Sequence, residues 1–331
     1  MKTLFSILTL IIAIQLHAQQ VCRANQYIFQ AEVLYRQKTD LKKAVDLYEK
    51  GFEINATDGS KILDALNGSA QLCDTFSSIK FLKKCYAVGI TTRSLHKLWP
   101  RMSNGMNLDN LLTKIDTNTI INNYKSALDT AIINQLKLLA INDQKYRGND
   151  ETDWEKQKEL DRSNWHTLKN IIKKKGRLPY FKEIGIDGQE DLELLFIHMD
   201  KKILEWFMPY VLKSIKEDNS NLSEIVLYQL DRIGMDDGLI YTINSEGKVL
   251  ILGNRTRMKN GYYCQSFGEW FYERSSVTQK LYETPIDPTI SISEVNRVRQ
   301  LFCLDSIENK RSRWPWIEKI SIEEFEILIS E

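Results

Sequence analysis

The sequence predicts a mainly α-helical protein of α+β class carrying one small antiparallel sheet. Three observations lead there. Apolar residues recur at helical spacing along most of the chain, the first hundred residues match themselves at a spacing of 34, and β-branched and aromatic runs cluster within residues 236–272.

The chain opens MKTLFSILTLIIAIQLHAQQ, where Lys2 precedes an apolar run from Leu4 to Ile14 and a small residue, Ala18. That is the layout of a secretory signal peptide, residues 1–18, with cleavage expected after Ala18 and export to the periplasm or beyond. The run is short for a membrane span, and no later stretch is long and apolar enough for one. Cleavage removes one lysine of the 45 basic residues and leaves 44 against 44 acidic ones. A balanced charge gives nucleic acid or anionic lipid no long-range attraction, so neither is an expected partner. Cys22, Cys73, Cys85, Cys264 and Cys303 enter an oxidising space as an odd set whose pairing is open. No C-x-x-C occurs, and no metal or cofactor is expected.

Residues 22–98 read as helical hairpins. Ile28 matches Ile62, Ala31 Ala65, Asp40 Asp74, Val45 Ile79, Tyr48 Leu82 and Gly51 Cys85. A period of 34 belongs to helical-hairpin repeats, and "LYRQKTDLKKAVDLYEKGFEIN" resembles the turn and second helix of tetratricopeptide repeats, with Ala44 where helices touch and Ser78 in its place in the second copy. Such hairpins bury their faces by stacking, so this pair must lean on the remaining chain. "KLWPRMSNGMNLDN" breaks the pattern, and residues 99–107 read as a junction.

Residues 119–331 form the expected second domain. One helix is expected from Thr119 to Tyr146, ended by Gly148, and another from Asp153 to Lys175, capped by Gly176. A long helix over "GQEDLELLFIHMDKKILEWFMPYVLKSIK" is expected to kink at Pro209, followed by "LSEIVLYQLDRIG". "LIYTIN", "KVLILGN" and "YYCQSF" then read as a hairpin or meander. Ser293 is expected to cap "EVNRVRQLF", and Ser321 with Glu324 has capping-box spacing before a last apolar run.

Several polar residues fall where apolar ones belong. Gln157, Asp161 and Asn164 share a helical stripe with Leu168, so Asp161 and Asn164 point inward and need partners. Asp143 and Arg147 stand one turn apart, and Arg147 and Arg232 are the natural guanidinium partners for buried carboxylates. His198 adjoins an apolar face, and Asp200 lies two residues on. Asp231 and Arg232 are adjacent and must engage different partners, with Asp143 and Arg147 as expected crosslinks.

Taken in order, these residues resemble an uncharacterised bacterial domain of unknown function over about residues 121–303. Its pattern of D-Q-x-x-R, D-x-x-N, "II…G…P…VG", H-x-D, L-x-D-R, Q-x-Y-G-T-Q and a late arginine reads here as Asp143-Gln144 and Arg147, Asp161 and Asn164, "IIKKKGRLPYFKEIG", His198 and Asp200, Leu230-Asp231-Arg232, Gln265-Ser266-Phe267-Gly268, and Arg299. Glu269-Trp270 replaces Thr-Gln, and a longer insertion separates Gly234 from Gln265. The resemblance implies that these polar positions belong together. It implies no activity.

Two functions fit. One is a cell-envelope interaction protein, whose hairpins take a protein or peptide and whose polar cluster holds its domain together or grips a small anion. The other is a hydrolase or group-transfer enzyme with His198 as acid or base, Asp231 or Asp143 orienting it, and Arg147 and Arg232 holding an anion, with Gln144, Asp161, Asn164, Asp200 and Gln265 around them. Nucleophile-elbow, P-loop and dinucleotide fingerprints are absent.

Overall fold

A computed structural model of the chain describes residues 2–55, 58–102, 104–147, 153–218, 222–257, 264–267, 271–273, 281–313, 317–319 and 321–324. The protein is mainly helical with small sheets, as the periodicity requires. Two compact units divide it: Met1–Leu195 with Lys213–Asn221, and Phe196–Leu212 with Leu222–Glu331.

Aspartates start the helices of the first unit. Asp40, Asp58, Asp74, Asp116, Asp129 and Asp153 each accept a backbone N–H two or three residues on, opening α2 (Leu41–Ile54), α3 (Gly59–Gln71), α4 (Thr75–Ala87), α7 (Thr117–Ala127), α8 (Thr130–Gln144) and α9 (Trp154–Lys175). A carboxylate there satisfies N–H groups that lack an intrahelical acceptor and faces the positive end of the helix dipole.

The helix α1 (Lys2–Gln37) runs unbroken through the expected leader. It packs on α2, and α3 packs on α4, giving two consecutive hairpins. Of the residues 34 apart, Asp40 and Asp74 each cap the second helix of a hairpin, and Ile28 and Ile62, Ala31 and Ala65, Tyr48 and Leu82 are buried, whereas Val45 is buried and Ile79 only partly so. Ala44 is fully buried, while Ser78 adapts to its apolar place by sharing a hydrogen bond with Ser69, 2.9 Å away.

The hairpins lean on the helices C-terminal to them. Their core continues through Leu95 and Trp99 of α5 (Thr92–Met102), Leu108 and Leu111 of α6 (Leu108–Leu112), then Ile115 and Phe181. Residues 99–107 are therefore crossed by a shared core. Pro100 sits inside α5, and the Trp99 indole donates to the Met106 carbonyl at 2.7 Å.

Two helices are shorter than periodicity alone suggests. The stretch expected as one helix from Thr119 to Tyr146 breaks at Leu128–Asp129, because Asp129 turns its carboxylate onto the N–H of Ile132 and its own N–H onto the Glu183 carbonyl. Gly148, its expected terminator, lies outside the described residues. The long helix expected to kink at Pro209 is two: α10 (Phe181–Ile197) and α11 (Lys201–Asp218). The break is at His198–Asp200, where Asp200 accepts the N–H of Ile203 at 2.8 Å; Pro209 stays within α11. Gly176 ends α9 at φ 69°, as expected.

In the second unit, α12 (Leu222–Asp237) runs past Gly234, its expected end, and Gly238 turns the chain at φ 66° into β1 (Leu239–Ile243). β1 pairs antiparallel with β2 (Val249–Asn254) across a turn in which Asn244 accepts the N–H groups of Glu246 and Lys248. Of "YYCQSF", expected as a strand, the described residues Cys264–Phe267 are irregular, with one parallel bridge between Gln265 and Ile286. A further sheet, unanticipated, joins β3 (Phe271–Glu273) antiparallel to β4 (Leu281–Glu283), and β4 parallel to β5 (Ile317–Lys319). Ser291, not Ser293, caps α13 (Ile292–Leu301), which precedes α14 (Ile307–Arg313). Ser321 and Glu324 exchange the expected capping-box bonds; the apolar run after them lies outside the described residues.

Candidate functional site

Of the polar residues singled out in the sequence, Asp143, Gln144, Arg147, Asp161 and Asn164 gather at one helix junction of the first unit, and Asp231, Gln265 and Arg299 lie among buried hydrogen bonds of the second. In the first, Arg147 donates to the Asp143 carbonyl at 2.7 Å and to the Asp161 carboxylate at 2.5 Å, while Gln144 donates to Asp143 Oδ2 at 2.7 Å. Gln157 donates to the Asp143 carbonyl at 2.8 Å and to Asp161 Oδ1 at 2.7 Å, and accepts the N–H of Tyr146. Asn164 donates to the Leu139 carbonyl at 3.0 Å. Asp143, Gln157 and Asn164 are buried.

One physical problem explains this set. The last carbonyls of a helix have no intrahelical donor, and α8 ends against α9. Side chains from α9 and from Arg147 supply the missing donors, and Asp161 in turn neutralises Arg147. The two motifs D-Q-x-x-R and D-x-x-N thus clasp the end of one helix onto the next.

In the second unit Asp231 is wholly buried. Its partner is Arg255, at 2.7 Å, rather than Arg147, and its two oxygens also accept the N–H of Ser266 at 3.0 Å each. Burial pushes the Asp231 carboxyl above its ordinary range against the pull of Arg255 and that N–H. Arg255 spends its other donors on the carbonyls of Leu239 and Cys264 and on Ser266 Oγ. Gly234 makes the approach feasible, since a side chain there would collide with the Arg255 guanidinium and the Leu239 carbonyl. Gln265, also buried, donates to the Thr284 carbonyl. Its backbone exchanges bonds with Pro285 and Asp287, and Asp287 accepts from Thr256 and Thr289. Arg299 is fully buried and donates to the carbonyls of Asp305 and Phe267.

His198 is half-buried in the α10–α11 break, and Asp200 is exposed, serving as the cap of α11. Arg232 is half-buried and, among the described residues, makes no hydrogen bond or ion pair. Arg255 was not anticipated: it stands beyond the hairpin in "GNRTR", and only a register for β1–β2 would have placed it beside Asp231. Gly268, Glu269 and Trp270 of the resemblance lie outside the described residues. No described group of three or more His, Cys, Asp or Glu is placed to hold a metal ion.

No family model, curated protein or solved structure matches the chain.

Proposed function

We propose that the protein is an exported interaction protein of the cell envelope, with residues 1–18 as a cleaved leader and the tetratricopeptide-like hairpins as the surface that takes a protein or peptide. The observation that carries this reading is the equivalence of residues 34 apart, with caps and buried positions repeated from α1–α2 to α3–α4. Such repeats present side chains of successive helices to a partner. Two further points support it. Asp143 and Asp231, the carboxylates a hydrolase would use to orient His198, are already spent on Arg147, Gln144, Arg255 and Ser266. No described helix is long and apolar enough to cross a membrane.

Two variants of the full chain test it, read by thermal melting, by chemical crosslinking in the envelope and by turnover of ester and phosphomonoester substrates. Asp143→Asn is expected to lower the melting temperature and lose the crosslinked adduct together, while His198→Ala changes neither. Turnover by the wild type that His198→Ala abolishes at unchanged melting temperature would replace this reading with the hydrolase.

A further inference from the structure

The hairpin of β1 and β2 has two edges of opposite character. Asn244 donates its N–H to the Lys248 carbonyl at 3.0 Å. From that pair the backbone groups alternate, pointing across the ladder at one residue and out of the sheet edge at the next. On β1, Ile243 and Leu239 therefore point outward. Arg297 donates to the Ile243 carbonyl at 2.9 Å and Arg255 to the Leu239 carbonyl at 3.1 Å, so side chains close both ends of this edge. On β2, where Val249 pairs with Ile243 and Ile251 with Tyr241, the outward residues are Val249 and Ile251. Among the described residues nothing bonds to their outward N–H and C=O groups, and β2 pairs with no strand but β1.

The open edge is also the apolar one. Leu250, Ile251 and Leu252 are consecutive and 38%, 58% and 50% exposed, although their partner strand is buried from Ile240 to Ile243. Successive side chains of a strand point to opposite faces, so β2 is bare on both. Proteins blunt such edges with proline, with charge or with a bulge. β2 holds no proline and no charged residue. Its bulge comes at Leu252, past the residues whose main-chain groups are open.

We infer that β2 pairs antiparallel with β2 of a second copy of this chain, with Leu250 on the two-fold axis. A row of open main-chain groups is matched by another extended strand and by no small ligand. The outward groups set the register: Val249 and Ile251 exchange main-chain bonds with Ile251 and Val249 of the second copy. Leu250 then faces its own equivalent, and Lys248 faces Leu252, so no like charges are apposed. A polar peptide would answer the main chain and leave the leucines wet; a second copy brings apolar side chains to both faces of the new pair. The result is one continuous sheet in the order β1, β2, β2, β1. Its outer edges are those that Arg255 and Arg297 close, so growth stops at two copies. The inference lies within the second unit and does not depend on the interaction reading of the hairpins of the first.

Sedimentation equilibrium of the full chain over a concentration series tests it. Pairing along one strand edge buries little surface for a dimer, so the wild type is expected to pass from monomer to dimer over the micromolar range, with no larger species. Leu250→Lys sets like charges face to face on the axis and should weaken association at least about tenfold, with an unchanged circular dichroism spectrum. Crosslinking checks the register without relying on that variant. In a Cys73→Ser background, Leu250→Cys should join its own copy on mild oxidation, because facing residues between the hydrogen-bonded pairs have Cα atoms about 4.5 Å apart, within disulfide reach. Asn254→Cys, exposed but far from the axis, should not. A wild type that stays monomeric up to about 1 mM would leave the edge to a strand of another protein and overturn the inference. So would species larger than a dimer, a folded Leu250→Lys variant that associates as tightly as the wild type, or Leu250→Cys crosslinking no faster than Asn254→Cys.

Discussion

Asp64 shows how a single carboxyl can set a pH dependence. Burial, opposed by Lys61 and Arg36, raises its pKa from 3.8 to about 6, and its side chain is 27% exposed, with Arg36 at 3.7 Å. The folded chain thus keeps a proton that the unfolded chain releases at lower pH. This group's contribution to stability is fullest below 3.8 and is lost as pH rises through about 6. Asp64→Asn is expected to stabilise the protein at pH 7.5 by up to about 3 kcal/mol and to flatten that part of the profile, read by urea unfolding at pH 5 and 7.5. An unaltered pH slope would show that Asp64 titrates as an ordinary carboxylate. At Asp143 the sequence said more. A spacing of four across one helix end and the stripe Gln157–Asp161–Asn164 sufficed to bring these residues together, because near-helical geometry fixes local neighbours. Asp231 was legible as paired, but the expected partner, Arg147, was the wrong one. Its partner, Arg255, comes from beyond a hairpin whose register depends on a bulge between Ile240 and Tyr241, and no local rule reports that.

Between elements, the decisive contacts are polar clasps at helix ends. Glu183 is one such hub: it accepts from Arg177 at 2.7 Å and 2.8 Å, from Lys175 at 3.3 Å and from the N–H of Tyr180 at 2.9 Å. Burial opposes its ionisation, yet these donors prevail and hold its carboxyl at about 2. With the folded pKa below 4.5, its contribution is present above that pH and is lost as pH falls through about 2. Glu183→Gln should cost about 1–2 kcal/mol at pH 7, a figure reduced for solvent screening, and nothing at pH 2, as acid and neutral denaturant melts would reveal. Gly185, two residues on, holds φ 64° with the Tyr124 hydroxyl where a side chain would stand. Gly185→Ala therefore meets both strain and a clash, and is expected to destabilise by about 2–4 kcal/mol, while pairing it with Tyr124→Ala recovers only the steric part. Helix identity was readable because caps and periodicity are local. The breaks at Asp129 and Asp200 were not, since an aspartate inside an amphipathic run reads as a solvated side chain until its backbone partner is known. The sheet of β3, β4 and β5 was missed for the same reason: its strands are three residues each, and β5 arrives from the C-terminal end of the chain.

Across the whole molecule, the cysteines report on compartment. Cys22 and Cys303 are each disulfide-bonded, and Cys73, Cys85 and Cys264 are thiols. Disulfides persist where glutathione does not reduce them, so this state agrees with the leader read from residues 1–18. The three thiols differ in reach: Cys73 is exposed, Cys264 is buried, and burial pushes the Cys85 thiol up to about 12, which suppresses the reactive thiolate. Protein expressed with residues 1–18 in place and purified without reductant should therefore alkylate at Cys73 alone when native, at Cys73, Cys85 and Cys264 when unfolded, and at Cys22 and Cys303 only after reduction. Peptide mass spectrometry of each sample reads this directly, and the same spectra report whether the mature chain starts at Gln19. Five alkylated cysteines in the unreduced, unfolded protein would remove the disulfide and with it the structural support for export. A chain that keeps the disulfide-bonded cysteines but retains Met1 would instead sever the leader assignment from the redox argument, because a disulfide is favoured by an oxidising compartment and does not dictate the route taken to it.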